Sequence, residues 1–198
     1  MKSMLIDKKF RVPRIWSNEE LKKFSHLFSG KIINVSGWID IDKEGKTYKN
    51  YFNKHSEYFI SNFKKEARGF QGNIKNEFFL DLEKKLPEKL INEFDVVFNH
   101  TTLEHIFKIE MAFKNLCLLS KDIVILVVPF LQEQHADYGD YWRFTPLTIK
   151  KLFDENKVDL IYLNYNDVKN SSIYIFAIGS KKKTKWKKII NDKNNKIK

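Results

Sequence analysis

The segment DIVILVVPF (residues 122–130) is the clearest strand pattern in the chain. It is a continuous run of aliphatic, mostly β-branched residues, which is typical of a parallel strand that helices cover on both faces. The residues before it, TLEHIFKIEMAFKNLCLL (102–119), carry apolar side chains at helical spacing and predict a helix of about four turns. Further upstream, FDVVFNH (94–100) predicts another strand. A strand, a helix and a second strand in this order form the unit of a parallel sheet.

The alternation continues on both sides of this segment. Ser17 and Glu20 have the spacing of a capping box, so a helix is predicted to begin at Ser17 and to end at Gly30. Thr145 and Pro146 predict the start of another helix. Further strands are predicted at 31–37, 57–63, 76–82, 159–166 and 171–180. We therefore predict a Rossmann-like α/β fold, with a mostly parallel seven-stranded sheet, helices on both faces and a terminal antiparallel strand pair.

Composition is consistent with a single globular domain. The chain has 198 residues, of which 42% are hydrophobic, so it can bury a sizeable core. We predict an amino-terminal extension with a helix (1–30), one α/β domain (31–180) and a basic, flexible tail (181–198). The longest apolar run is about as long as one strand, so we expect no membrane span and a cytoplasmic chain. The one cysteine, Cys117, is expected to be a buried structural thiol.

The net charge of +11 is unevenly distributed. Residues 181–198 contain nine lysines and one aspartate, so this segment carries +8 and residues 1–180 carry +3. Only four of the 36 basic residues are arginines, the side chain favoured for bidentate contacts with phosphates and bases. We therefore expect no nucleic-acid partner, and an RNA-directed role for the lysine-rich tail is kept as an alternative.

Polar and small residues follow the predicted strands at their carboxyl ends, where ligands bind in open α/β sheets. They are Ser36, Gly37, Trp38, Asn62, Asp81, Leu82, Asn99 and His100. This set suits a nucleoside-like ligand that lies across the strand ends. It suits a nucleophile triad or a metal centre less well.

Two segments resemble the class I S-adenosylmethionine-dependent methyltransferases. FDVVFNHTTLEHI is similar to the family's fourth strand and following turn. ILVVPF with HADYGDYWRFTPLTIKKLF is similar to the fifth strand, active-site loop and next helix of a bacterial subgroup associated with glycan and cell-surface modification. The likeness covers about residues 31–180, and Tyr-Trp-Arg-Phe-Thr-Pro (141–146) is its most specific part. It implies a transferase in polysaccharide biosynthesis that methylates a small molecule or a glycan precursor, with O-methylation as one option.

The resemblance implies S-adenosyl-L-methionine as cofactor, but the first two strand ends depart from the family pattern. Asn34 stands where the family has an acid, Ser36 and Trp38 stand where it has glycines, and Asn62 replaces the acid that accepts bonds from the ribose hydroxyls. The implied cofactor-binding residues are Ser36, Gly37, Asn62, Asp81, Leu82, Asn99 and His100, with Asp81 at the position that reads the adenine. A degenerate methyltransferase fold that serves as a binding or scaffold protein is the alternative.

The remaining candidates line the acceptor side. The resemblance and the chemistry of proton removal point to His105 and His135 as catalytic residues. Glu104, Tyr141, Trp142 and Arg143 are predicted to bind the substrate, with Arg143 as a clamp for a phosphate or carboxylate. Because Arg143 is predicted to contact substrate, its loss is expected to leave stability nearly unchanged.

A metal site is not expected from the spacing of the histidines. His100 and His105 are five residues apart, which places them about 140° from each other on a helix. The identity of the acceptor and the oligomeric state stay open.

Overall fold

The computed structural model of the chain describes residues 10–65, 68–136, 139–187 and 195–197. Predictions for residues 1–9, 66–67, 137–138, 188–194 and 198 lie outside the described residues. The strands are β1 (Ser29–Val35), β2 (Lys54–Asn62), β3 (Glu77–Phe79), β4 (Phe94–His100), β5 (Ser120–Leu131), β6 (Asp159–Tyr165) and β7 (Ile173–Ser180). The helices are α1 (Val12–Ser25), α2 (Ile109–Leu119), α3 (Pro146–Glu155) and α4 (Lys183–Lys187).

The strands form one sheet in the order β3-β2-β1-β4-β5-β7-β6. The first five strands of this order pair in parallel, whereas β7 is antiparallel to both β5 and β6. The predicted Rossmann-like sheet with its terminal antiparallel pair is confirmed. Because the chain leaves β1 towards β2 and later returns to the other side of β1 with β4, the order reverses between β1 and β4. Such a switch point is where an open α/β sheet binds its ligands.

Helices cover both faces of the sheet, as predicted. On one face, α2 and α3 contribute Phe113 and Phe153, whose rings lie 5.0 Å apart in the core. On the other face, α1 contributes Phe24, which packs at 4.5 Å from Tyr162 of β6. Cys117 is buried in α2, as expected. None of the helices in the described ranges has the length and apolar character that crossing a membrane requires.

The first helix begins earlier than the capping box predicts. α1 starts at Val12 with Pro13 in its first turn, where proline is well tolerated. Ser17 therefore lies inside the helix, where its hydroxyl bonds to the Arg14 carbonyl and to Nε2 of His100, each at 2.8 Å. Glu20 accepts a bond from the Tyr162 hydroxyl at 2.6 Å. The prediction of Ser17 as a cap was wrong because both polar side chains face the sheet.

Two predicted elements are shorter than expected. The helix predicted over 102–119 divides into a 3₁₀ turn at Leu103–His105 and α2 from Ile109. The strand predicted over 76–82 is confined to Glu77–Phe79. In contrast, β4 has the predicted bounds, and Thr145 caps α3 by accepting a bond from the Thr148 amide at 3.1 Å.

The described part of the lysine-rich tail packs on the sheet. Trp186 of α4 is 5% exposed, lies 5.2 Å from the Phe28 ring and donates to Asp122 at 2.9 Å. The Lys196 amide donates to the Leu163 carbonyl of β6 at 2.7 Å. The described residues of the predicted flexible tail thus have specific contacts with the domain, and the Trp186 indole supplies apolar surface for one of them.

Candidate functional site

The loop after β1 keeps the backbone path that glycines usually provide. Ser36, Trp38 and Asp40 have φ values of 58°, 50° and 62°, in the left-handed region that disfavours side chains. Ser36 and Trp38 are the two positions at which the resembled family has glycines. Gly37 is required for another reason, because a Cβ there would lie 2.5 Å from Nδ2 of Asn34. The loop therefore has the conformation of a glycine-rich turn, with side chains added to it.

Asp40, which the sequence analysis did not single out, holds this loop in place. It is 4% exposed and accepts bonds from Asn34 Nδ2 and the Tyr58 hydroxyl, each at 2.7 Å, and from the Lys49 amide at 2.9 Å. Burial raises the pKa of Asp40, and the three donors act in the opposite direction. The amide of Asn34 thus serves as a donor to a carboxylate that comes from the following loop. A lone aspartate in a polar stretch carried no signal of this role.

The side-chain amide of Asn62 makes its hydrogen bonds with the backbone of the same loop. Its Oδ1 accepts from the Trp38 amide at 2.7 Å, and its Nδ2 donates to the Trp38 carbonyl at 3.0 Å and to Glu77 at 2.6 Å. The residue is 1% exposed. An amide can make this reciprocal pair because it carries both a donor and an acceptor, whereas a carboxylate only accepts. The structure places Asn62 at the predicted strand end but turns its side chain to the Trp38 backbone.

The third strand is followed by one accessible candidate and one buried candidate. Asp81 is partly exposed, and its Oδ1 accepts from the Glu83 amide at 2.9 Å. The side chain of Leu82 is 4% exposed and belongs to the apolar core, while its carbonyl accepts from Asn115 at 2.9 Å. The side chain of Leu82 is thus directed away from the strand ends.

Asn99 and His100 lie at the switch point. Asn99 pairs with Val35 in the sheet and donates to its carbonyl at 2.9 Å, while its buried Oδ1 accepts no hydrogen bond from the residues described. His100 contacts Ser17 through Nε2 and Thr101 through Nδ1, at 2.8 and 3.1 Å. Burial lowers the pKa of His100 well below its usual range, so this histidine is neutral. His100 therefore connects α1 to the sheet.

Glu104 is the most deeply buried of the predicted acceptor residues. It is fully shielded from solvent, and neither carboxylate oxygen accepts a hydrogen bond within the described ranges. Burial raises the pKa of Glu104 to about 7, against the opposing charges of Arg14 and Arg143. Its backbone carbonyl accepts from the amides of Tyr141 and Trp142 at 2.7 and 3.3 Å, which connects the 3₁₀ turn to the loop after β5.

The two predicted catalytic histidines come together beside Glu104. The rings of His105 and His135 lie 5.1 Å apart. His105 contacts the Gly139 carbonyl through Nδ1 at 2.5 Å, and its Nε2 lies 3.8 Å from Glu104 Oε1. Because a carbonyl only accepts, Nδ1 carries the proton, and in the neutral ring Nε2 carries the lone pair. Burial lowers the pKa of His105. Sequence reasoning proposed both histidines without placing them next to Glu104.

Arg143 fastens the loop that follows β5. A guanidinium has five N–H donors, and all five are used: one on Gln132, one on Glu133, one on Trp142 and two on Asp140. The Asp140 side chain has no exposed surface, and Arg143 is the main reason that its pKa is lowered to about 2. The predicted phosphate clamp is not available in this arrangement, because each donor already has an acceptor within the loop.

The two aromatic residues before Arg143 differ in exposure. Trp142 is partly buried and donates through Nε1 to the Ile106 carbonyl at 2.9 Å. Tyr141 is 52% exposed, and its ring lies 5.3 Å from that of Phe107, which is 65% exposed. Tyr141 and Phe107 thus form an accessible aromatic wall, whereas Trp142 supports it from below. Phe107 was not among the predicted residues, since it was read as part of a continuous helix.

Comparison with solved structures identifies the fold. A S-adenosylmethionine-dependent methyltransferase from Clostridium acetobutylicum has a TM-score of 0.61 at 11% identity, over 90% of this chain and 96% of that chain. The magnesium protoporphyrin IX methyltransferase of Synechocystis with bound SAM has a TM-score of 0.58 at 10% identity, over 88% and 83%. No model of a known protein family matches the sequence, and no curated protein matches it. The chain therefore has the class I methyltransferase fold, as the sequence resemblance implied.

Proposed function

We propose that this chain is a S-adenosylmethionine-dependent methyltransferase that acts on a hydroxyl of a small molecule or a cell-surface glycan precursor. The observation that supports it best is the left-handed backbone at Ser36 and Trp38, which lies at the switch point of a methyltransferase fold. Holding two side-chain-bearing residues there costs on the order of 1–3 kcal/mol each, so a functional constraint is a good reason for it.

The residues at the strand ends fit the cofactor in part. Its amino-acid portion would lie against the backbone of Ser36 and Gly37, and Asp81 would accept from the adenine amine. Asn62 does not fit direct contact with the ribose, because its amide is engaged with Trp38. We assign Asn62 to holding the loop against which the cofactor lies. When bound, the cofactor supplies an electrophilic methyl group on a sulfonium, which is already a good leaving group.

The protein's part in such a transfer is to position the acceptor and to remove its proton. His105 and His135 are adjacent to each other, and a backbone hydrogen bond from Tyr141 to Glu104 joins the turn that carries His105 to the residue that forms the aromatic wall with Phe107. We propose that one of the two histidines accepts the proton of the acceptor hydroxyl. Of His105→Ala and His135→Ala, the substitution that removes this base should then lower the rate of methyl transfer by about tenfold or more.

Isothermal titration calorimetry should detect S-adenosylhomocysteine binding to the purified chain in the micromolar range. Asp81→Ala should weaken it by about tenfold, because one hydrogen bond to the adenine is lost. Glu155→Ala is the matched control, since Glu155 is an exposed carboxylate at the opposite end of the sheet. A folded chain that binds neither S-adenosylmethionine nor S-adenosylhomocysteine at millimolar concentration would contradict the proposal.

The reciprocal bonds between Asn62 and Trp38 favour a second candidate function. If this pair keeps the ribose position closed, the chain is a methyltransferase fold that serves as a binding or scaffold protein. Transfer of a radiolabelled methyl group from S-adenosylmethionine to any natural small molecule would exclude it. The same calorimetry experiment separates the two functions, because a closed site binds no product.

A further inference from the structure

We propose that Glu104, His105 and His135 form a binding site for a divalent transition-metal ion of the zinc class. Each of the three residues offers one ligand atom, and these atoms all lie within 4.8 Å of one another. Zinc bonds to nitrogen and oxygen are about 2.0–2.2 Å long, so atoms that share one ion lie roughly 3–4 Å apart. The side chains are thus within small movements of a common coordination sphere.

The donor set indicates which ion would bind. Two imidazoles and one carboxylate are ligands that zinc and similar transition metals prefer, whereas magnesium and calcium prefer oxygen atoms alone. Three protein ligands also leave a coordination position open, as catalytic zinc sites do. The open position would take water or an oxygen of the acceptor. The acceptor molecule would therefore carry a hydroxyl or a carboxylate that can coordinate a metal ion.

The burial of Glu104 is an independent reason for a cation. Its carboxylate is completely buried, and both of its oxygens are without a hydrogen-bond partner within the described ranges. A buried polar group without partners costs roughly 1–3 kcal/mol, and a charged one costs more. Oε1 lies 3.8 Å from His105 Nε2, and a metal ion held between them would provide this oxygen with a partner. Hydrogen bonds among the described residues do not explain why this carboxylate is buried.

The surroundings of His105 match those of a metal ligand, and the ring of His135 lies against a carboxylate. A histidine that binds a metal usually donates its other ring N–H to a carbonyl or carboxylate, which fixes its orientation. His105 has this contact with the Gly139 carbonyl, which leaves Nε2 as the ligand atom on the side of Glu104. His135 is held by Asp140, whose Oδ2 lies 3.1 Å from its Nδ1 and accepts from its backbone amide at 2.9 Å. Arg143 holds Asp140 in turn.

The metal site does not depend on the proposed methyltransferase activity, because it is inferred only from the three side chains that would bind the ion. If that activity is correct, a metal ion beside the aromatic wall would hold the acceptor oxygen. The two histidines would then serve as metal ligands, and their role in accepting a proton would apply only to the metal-free protein.

The test is metal binding by the full chain without a histidine tag. After treatment with a chelator and dialysis, Zn²⁺ and Co²⁺ are titrated, and bound metal is measured by plasma mass spectrometry. We expect one ion per chain, with Co²⁺ producing visible absorption bands. His105→Ala, His135→Ala and Glu104→Gln should each weaken binding at least tenfold. His26→Ala is the control, because His26 is exposed beyond the end of α1.

Two outcomes would overturn the site. One is the absence of binding at up to 100-fold molar excess of either ion, and the other is binding of equal strength in a chain that carries both His105→Ala and His135→Ala. Circular dichroism verifies that each variant is folded. If the alanine variants unfold, Glu104→Gln, which preserves shape, and the Co²⁺ spectrum of the parent chain decide the question. S-adenosylhomocysteine binding is measured on the same preparations. If the folded parent chain binds metal but not S-adenosylhomocysteine, the proposed function is contradicted and the metal site is supported.

Discussion

Arg143→Ala should lower the free energy of unfolding by about 3 kcal/mol, the lower end of the range for a buried ion pair, because Asp140 is fully shielded while Arg143 is 26% exposed. The reason is Asp140, whose side chain has no exposed surface and loses both of its guanidinium bonds. Three backbone carbonyls, those of Gln132, Glu133 and Trp142, also lose the bond from this guanidinium. Urea unfolding measures the effect. This result is the opposite of the near-unchanged stability that the sequence alone suggests for a substrate clamp.

Matched variants show whether the geometry of Arg143 or only its charge is responsible. Arg143→Lys keeps the charge but cannot make a bidentate contact, so it should recover only part of the loss. Lys151→Ala removes a cation whose side chain is 70% exposed, from a surface ion pair, and should change stability by less than about 1 kcal/mol. If Arg143→Ala unfolds at the same urea concentration as the parent chain, the loop does not need its guanidinium, and the clamp role is restored.

The second large effect is expected at the end of β2. Asn62→Asp should lower the free energy of unfolding by about 2–4 kcal/mol and weaken S-adenosylhomocysteine binding by about tenfold. The substitution removes the donor to the Trp38 carbonyl and places a carboxylate against that of Glu77. The family pattern, in which an acid binds the ribose, suggests the reverse, namely a gain of about 1 kcal/mol in binding. Urea unfolding and calorimetry measure the two quantities.

The like-charge contact can be tested by a second substitution. Glu77→Gln in the Asn62→Asp background replaces the repelling carboxylate with an amide that can donate, so it should recover part of the lost stability. Glu57→Gln, an exposed carboxylate on the same strand as Asn62, should recover none. Tighter binding by a stable Asn62→Asp chain would show that Trp38 leaves Asn62 when the ribose enters, which would support the family pattern.

Local sequence patterns determined the architecture. The apolar run of β5, the bounds of β4 and the Thr145 cap are features of neighbouring residues, because periodicity records which face of a segment is buried. The mostly parallel sheet with a terminal antiparallel pair was predicted and is confirmed, whereas the order of the strands comes from the structure alone. The start of α1 was misread because a capping box and a pair of buried polar residues have the same spacing. Ser17 is a buried polar residue and not a cap because its hydroxyl contacts His100, which lies 83 residues away in the sequence.

The composition of the site was decided by tertiary structure. His105 and His135 could be named from the sequence, but their association with Glu104 requires the loop after β5 to fold back onto the 3₁₀ turn. Arg143 and Asn62 were predicted to bind ligands, whereas in the structure the side chain of each bonds to a partner within the fold. For Asn62 that partner is the backbone of Trp38, 24 residues away, and for Arg143 it is a buried aspartate. Residue type in a sequence states which bonds a side chain can make, and only the packed fold determines which of them are made.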